Sequence, residues 1–202
     1  CSCREHLEEV GYEVVSDSVF SKISDTCTPQ GVLCVLKQFH YNIEEMLRDK
    51  APLFLLLENI QDPGNLGTML RTGEGAGVSG IIMSRDTVDL YNPKVIRSTM
   101  GSIYRVPFYY ADDFAAAVHQ VQRAGVSVYA AHLRGKNSYA CQDYTKGTAF
   151  LIGNEGNGLR EETAELADCY IRIPMEGKVE SLNAAVASSI LMYEAHRQLS
   201  LI

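Results

Sequence analysis

The sequence predicts an α/β fold with a mainly parallel sheet and helices on both faces. Three observations predict it. Strand-like and helix-like segments alternate from Ala51 onward. The first of those strands, Leu53–Glu58, opens as an unbroken apolar run, as a strand covered on both faces should. The loops richest in glycine and polar residues, at 59–65, 154–158 and 174–181, each follow a predicted strand. In open α/β sheets that is where ligands bind.

Each element has a local reason. The first fifty residues read as a separate small unit. It has polar, helix-like text at Arg4–Val10, strands at Tyr12–Val15 and Gly31–Leu36, a short helix at Val19–Ile23 and a turn at Cys27–Gly31. The polar run Asn42–Lys50, with Pro52 after it, reads as a linker with a helical turn. The expected division is 1–42, a linker at 43–51, and a main domain at 52–202. In that domain a helix follows the first strand, with Leu66, Met69, Leu70 and Gly73 on one face and Asn65 as the expected N-cap. Gly80–Met83 reads as a strand. Asn92–Met100 reads as a helix with Pro93 at its first position. Asp112 is the expected cap of a helix to Ala124, ended by Gly125. Val126–Ala131, Ala149–Gly153 and Tyr170–Ile173 read as strands, with a short helix near Leu159–Ala167 and a last helix from about Leu182 to Leu199.

Composition narrows the function. The 202 residues suffice for one well-buried domain and a smaller piece. Apolar residues make up 46% and charged residues 21%, an ordinary globular balance. No apolar run is long enough for a bilayer, so no membrane partner is expected. There is no basic-then-apolar leader. The opening at Cys1 reads as a piece of a longer, cytoplasmic protein. Six cysteines (Cys1, Cys3, Cys27, Cys34, Cys141, Cys169) form no C-x-x-C pair, so neither a disulfide framework nor a metal site is expected. Cys1, Cys3 and His6 are better read as terminal thiols and a lone imidazole than as ligands. The net charge of −7 opposes a nucleic-acid partner unless a local basic surface exists. Arg71, Arg85, Lys94, Arg97, Arg105, Arg134, Lys136, Lys146 and Arg160 are available for one.

The three loops carry the chemistry. Asn65 at a helix start and Arg71 in its second turn make a natural anion site, with a forked cation suited to phosphate. As an isolated pair they would be no more than a cap and a surface arginine. Gly153-Asn154-Glu155-Gly156-Asn157-Gly158 puts three glycines in six residues at a strand end, where backbone can approach a ligand closely. A tight turn explains the glycines but not Glu155, whose carboxylate needs a partner. Ser181 or Asn183 can cap the last helix, and the small residues after them allow close packing. The glycine spacing is G-x-x-G-x-G. A Rossmann nucleotide site would need G-x-G-x-x-G with an acid about twenty residues on, and only Asp168 lies near that distance.

Taken together, these segments resemble the SpoU family of RNA ribose 2′-O-methyltransferases, of the SPOUT class. The resemblance covers about 51–199. Asn65 and Arg71 match the first motif, 152–159 the second, and Ile173-Pro174-Met175 with Ser181-Leu182-Asn183 the third. It implies a SPOUT-type α/β domain with a C-terminal trefoil knot, acting as a homodimer. It implies S-adenosylmethionine as cofactor, held at Gly153, Ile173, Met175 and Leu182 with Leu133 at the pocket edge. It places Arg71, Asn65, Glu155, Ser181 and Asn183 on the catalytic side. The family often makes the arginine the base, but a guanidinium stays protonated in ordinary protein sites. Arg71 is therefore read as a phosphate clamp and alkoxide stabiliser, oriented by Asn65, with Glu155 holding it or taking the proton. Val19–Lys37 resembles the end of the ribosomal-protein-like RNA-binding domain that often precedes the catalytic one. The implied substrate is structured RNA, ribosomal RNA by preference. The alternatives are transfer RNA, or an RNA-binding assembly factor without catalysis.

Overall fold

The computed structural model describes residues 11–24, 26–48 and 51–201. Arg4–Val10, Cys1, Cys3 and His6 lie outside them. The chain divides into two compact units, Cys1–Phe39 and His40–Ile202.

In the first unit, α1 (Asp17–Ile23) is capped by Ser16, whose Oγ accepts from the Val19 N–H at 3.4 Å. The strands expected at Tyr12–Val15 and Gly31–Leu36 do not form. These stretches have strand-like composition, but β propensity yields a strand only where a neighbouring chain completes the ladder. None does so among the described residues, and Val14, Val32 and Val35 stay exposed.

The second unit begins at His40 and takes in the stretch read as linker. There α2 (Ile43–Met46), capped by Asn42, buries Ile43 and Met46 in the core. A seven-stranded, all-parallel sheet follows. Its strands are β1 (Leu53–Leu57), β2 (Gly80–Ser84), β3 (Phe108–Ala111), β4 (Ser127–Ala131), β5 (Asn137–Ser138), β6 (Thr148–Ile152) and β7 (Cys169–Arg172). The order is β3-β2-β1-β6-β4-β7-β5. Two of these are not among the expected strands: β3, a four-residue strand beside β2, and β5, only two residues long.

All five residues of β1 are buried, on alternating sides. Leu53, Leu55 and Leu57 enter one core with α3 (Pro63–Ala76) and α7 (Ala184–Leu199). Phe54 and Leu56 enter the other with α5 (Phe114–Arg123) and α6 (Glu161–Ala164). This is the two-residue period of a strand covered on both faces. The remaining helix, α4 (Pro93–Ser98), starts at its Asn92 cap with Pro93 first, as expected.

Two caps differ from expectation. Asp62, not Asn65, caps α3: its Oδ1 accepts from the Asn65 N–H at 2.7 Å. Pro63 at the first helical position starts the helix early and leaves the Asn65 side chain free for other work. Asp113, not Asp112, caps α5, and Asp112 instead pairs with Arg85 at 2.6 Å. Among the described residues no helix is long and apolar enough to cross a membrane.

Candidate active site

At the carboxyl ends of β1 and β6, two loops run side by side and are joined at five points. The Glu58 N–H donates to the Ile152 carbonyl at 2.9 Å. The Glu58 carboxylate accepts from the Arg160 N–H at 2.8 Å. The Asn154 amide donates to the Asn59 carbonyl at 2.8 Å. The Gln61 and Asp62 N–H groups donate to Glu155 at 3.1 and 3.0 Å. Asn59 adopts φ +53°, a left-handed conformation tolerated by asparagine, which turns the chain off β1. The second loop closes on itself through paired Asn154–Gly158 backbone bonds of 3.1 and 2.9 Å. Gly153 is required there, because a Cβ would lie 2.2 Å from Gly158 and Leu159 backbone atoms.

A third segment joins this pair. The Asn65 amide donates to Glu155 at 3.0 Å, and its oxygen accepts from the Asn183 amide at 3.0 Å. Asn183 also caps α7, accepting from the Ala185 and Val186 N–H groups at 2.9 and 3.2 Å. Glu155, Asn65 and Asn183, one from each loop picked out in the sequence, thus form one hydrogen-bonded chain. Burial pushes the Glu155 carboxyl upward, but the bonds from Asn65, Asp62 and Gln61 outweigh it and hold it below the usual glutamate value. The group is an ionised acceptor already filled by N–H donors, and so a poor proton acceptor.

Beside this chain lies a cavity of about 570 Å³. That is the size of a small-molecule site. Gly153, Glu155, Ile173, Met175, Ser181 and Leu182 line it, with Leu133 at its rim, 65% exposed. His132 also lines it, its ring tilted 32° against that of Tyr170 with centroids 5.1 Å apart. Its pKa is lowered, first by burial and then by Arg134. The cavity takes its walls from 131–133, 152–159 and 171–191, so residues remote in sequence share one hollow. Glycine backbone, apolar walls and nearby carboxylates suit a flat heteroaromatic nucleoside with a cationic tail.

Arg71 is not among the lining residues. Six residues past Asn65, it sits about 9 Å along α3 and about 120° around it. It is exposed and has no hydrogen-bond or ion partner among the described residues. Asn65 is committed to Glu155 and Asn183 rather than to Arg71. Of the other basic residues, Arg85, Arg105, Arg134 and Arg160 are tied to Asp112, Glu74, Glu161 and Asp86. Lys94, Arg97, Lys136 and Lys146 form no ion pair among the described residues.

Residues 52–193 match the model of the SpoU rRNA Methylase family. The chain belongs to that family. SpoU proteins are S-adenosylmethionine-dependent RNA 2′-O-methyltransferases. The chain is 35% identical to the 23S rRNA (guanosine(2553)-2′-O)-methyltransferase RlmP of Bacillus subtilis over 89% of its own length and 70% of that protein. An AdoMet-bound rRNA methyltransferase from Sinorhizobium meliloti superposes with a TM-score of 0.83 at 37% identity, over 91% of this chain and 70% of the other. The SpoU methyltransferase AviRb of Streptomyces viridochromogenes, in complex with AdoMet, gives 0.73 at 31% identity, over 78% and 61%. The chain thus spans about three fifths to seven tenths of these relatives. Within the SpoU frame, the ties made by Glu58, Gln61, Asp86 and Arg160 are not among the expected site contacts. The one available signal was an acid, Glu58, directly after five buried apolar strand residues.

Proposed function

We propose that this chain methylates a ribose 2′-hydroxyl of ribosomal RNA with S-adenosylmethionine. The observation that carries the reading is the Glu155–Asn65–Asn183 chain, which gathers three remote loops beside one nucleoside-sized cavity. The cofactor, when bound, supplies an electrophilic methyl group on sulfur. Backbone at Gly153, Ile173 and Leu182 holds its adenosine end, with Met175 and Leu133 packing against it. Glu155, kept ionised, fixes Asn65 and the glycine loop. Arg71, exposed and unpaired among the described residues, clamps the phosphate beside the reacting ribose and stabilises the oxygen as its proton leaves to solvent. Ser181 and Asn183 hold the third loop and the nucleotide.

A trefoil knot in the last third is supported by the shared cavity wall of 131–133, 152–159 and 171–191. A homodimer is supported by Val186 and Tyr193 on the outer side of α7, each about half exposed. Residues 1–42 act as part of an RNA-binding domain, supported by the separate compact unit Cys1–Phe39, and 43–51 leads into the catalytic domain with α2 packed in its core. A cytoplasmic location is supported by the free thiols of Cys27, Cys34 and Cys141.

The test is methyl transfer from labelled S-adenosylmethionine to RNA of a strain lacking the gene, followed by mapping of 2′-O-methylated sites. One labelled 2′-oxygen in ribosomal RNA is the expected result. Label on a base, or on transfer RNA alone, would overturn the assignment.

A further inference from the structure

We infer that Glu58 is a positioning residue for the cofactor loop, holding both of its stems so that the cavity floor is set before any ligand arrives. The inference rests on the cofactor reading above. Glu58 stands at the head of the first loop with no role among the expected site residues, and it is 1% exposed at the end of β1. A buried carboxylate there is costly unless its oxygens are filled. They are filled by the glycine loop's exit. One oxygen accepts from the Arg160 N–H at 2.8 Å; the other accepts from the Thr163 hydroxyl at 2.5 Å and faces the Arg160 guanidinium at 3.4 Å. Arg160 starts α6 without a side-chain cap of its own, so Glu58 serves as the cap from a neighbouring strand. The loop's entry is held by the same residue, through the Glu58 N–H to Ile152.

Between these stems Gly153 packs directly on Gly158 and Leu159, with no room for a Cβ. A small shift at the exit stem is therefore passed straight to the cavity floor. The Arg160 guanidinium is gripped from its other side by Asp86, which also accepts from Ser84 at 2.5 Å. Ser84 in turn accepts from the Asn59 N–H at 2.8 Å. The clamp thus spans the ends of β1, β2 and β6.

The test compares wild type, Glu58→Gln, Glu58→Asp and Arg160→Gln. The readouts are calorimetric titration with S-adenosylmethionine and amide hydrogen exchange without ligand. In Glu58→Gln an amide NH₂ replaces an acceptor facing N–H donors. Cofactor affinity should fall about tenfold. Exchange should speed up within 153–160 while β1 and β4 keep their protection. Glu58→Asp, which keeps the carboxylate, should lie between that variant and wild type. Arg160→Gln, altering a half-exposed side chain, should weaken binding a few-fold and decides the matter if Glu58→Gln does not fold. Affinity within twofold of wild type in the folded variants overturns the inference, as does faster exchange spread evenly over the sheet. Failure of the wild type itself to bind the cofactor would instead overturn the functional reading.

Discussion

The glycine-loop side of the site and the outer face of α3 are built in opposite ways. On the first, the polar groups are filled within the site: Glu58 by Arg160 and Thr163, Asn154 by Asn59 and the Gly156 N–H, and Glu155 by Asn65 and the Asp62 N–H. On the second, Arg71 is exposed and unpaired among the described residues, with small Gly64, Thr68 and Gly75 along the same exposed stripe. One half is organised in advance. The other offers a forked cation on a low, open surface that a polyanion can approach. A cofactor cradle binds better when it is rigid before the ligand enters, because little ordering is then left to be done at binding. A phosphate clamp gains from an unpaired charge.

Four substitutions or conditions can break or sharpen this contrast. Arg71→Ala should lower methyl transfer by about 100- to 1,000-fold, with cofactor affinity within twofold of wild type, read by single-turnover assay and calorimetry. Gly153→Ala should do the reverse. Its Cβ has no space, and overpacking of about 1–3 kcal/mol should weaken the cofactor roughly ten- to hundredfold in calorimetry. Asn65→Ala removes a donor to the ionised Glu155 and an acceptor for Asn183. Both affinity and turnover should fall by roughly tenfold. The smallest effect is on pH. Glu155 has a folded pKa below its ordinary 4.5, so its contribution to stability is complete above 4.5 and is lost as pH falls through the folded value. Denaturant melts from pH 7 to 3 should show this loss in wild type and a weaker one in Glu155→Gln. Equal slopes would remove Glu155 from the account.

Much of the fold was legible because β1 and the helix faces follow the periods that burial imposes. Leu53–Leu57 reads as a strand covered on both sides and is one, and Asn92 before Pro93 marks the start of α4; for the last helix the sequence leaves Ser181 and Asn183 both open, and the structure makes Asn183 the cap. Caps were misread where two candidates stood close together. Asp62 with Pro63 outcompeted Asn65, and Asp113 outcompeted Asp112, which found Arg85. The strands expected near Tyr12 and Gly31 failed because their composition speaks of propensity and not of partners. At the site, three glycines in six residues at a strand end exposed the cradle, while the steric reason for Gly153, the backbone of Gly158 and Leu159 against it, needed coordinates. The Glu58–Arg160 tie spans 102 positions and leaves no periodic trace. That Asn65 serves Glu155 and Asn183, and not Arg71, also required coordinates.

The most direct measurement is a double-mutant cycle on S-adenosylmethionine affinity, with Asn65→Ala and Glu155→Ala singly and together. If the three loops act as one cradle, the pair should couple by about 0.5–3 kcal/mol. Additivity within about 0.3 kcal/mol would mean that the loops bind independently, and would contradict the account.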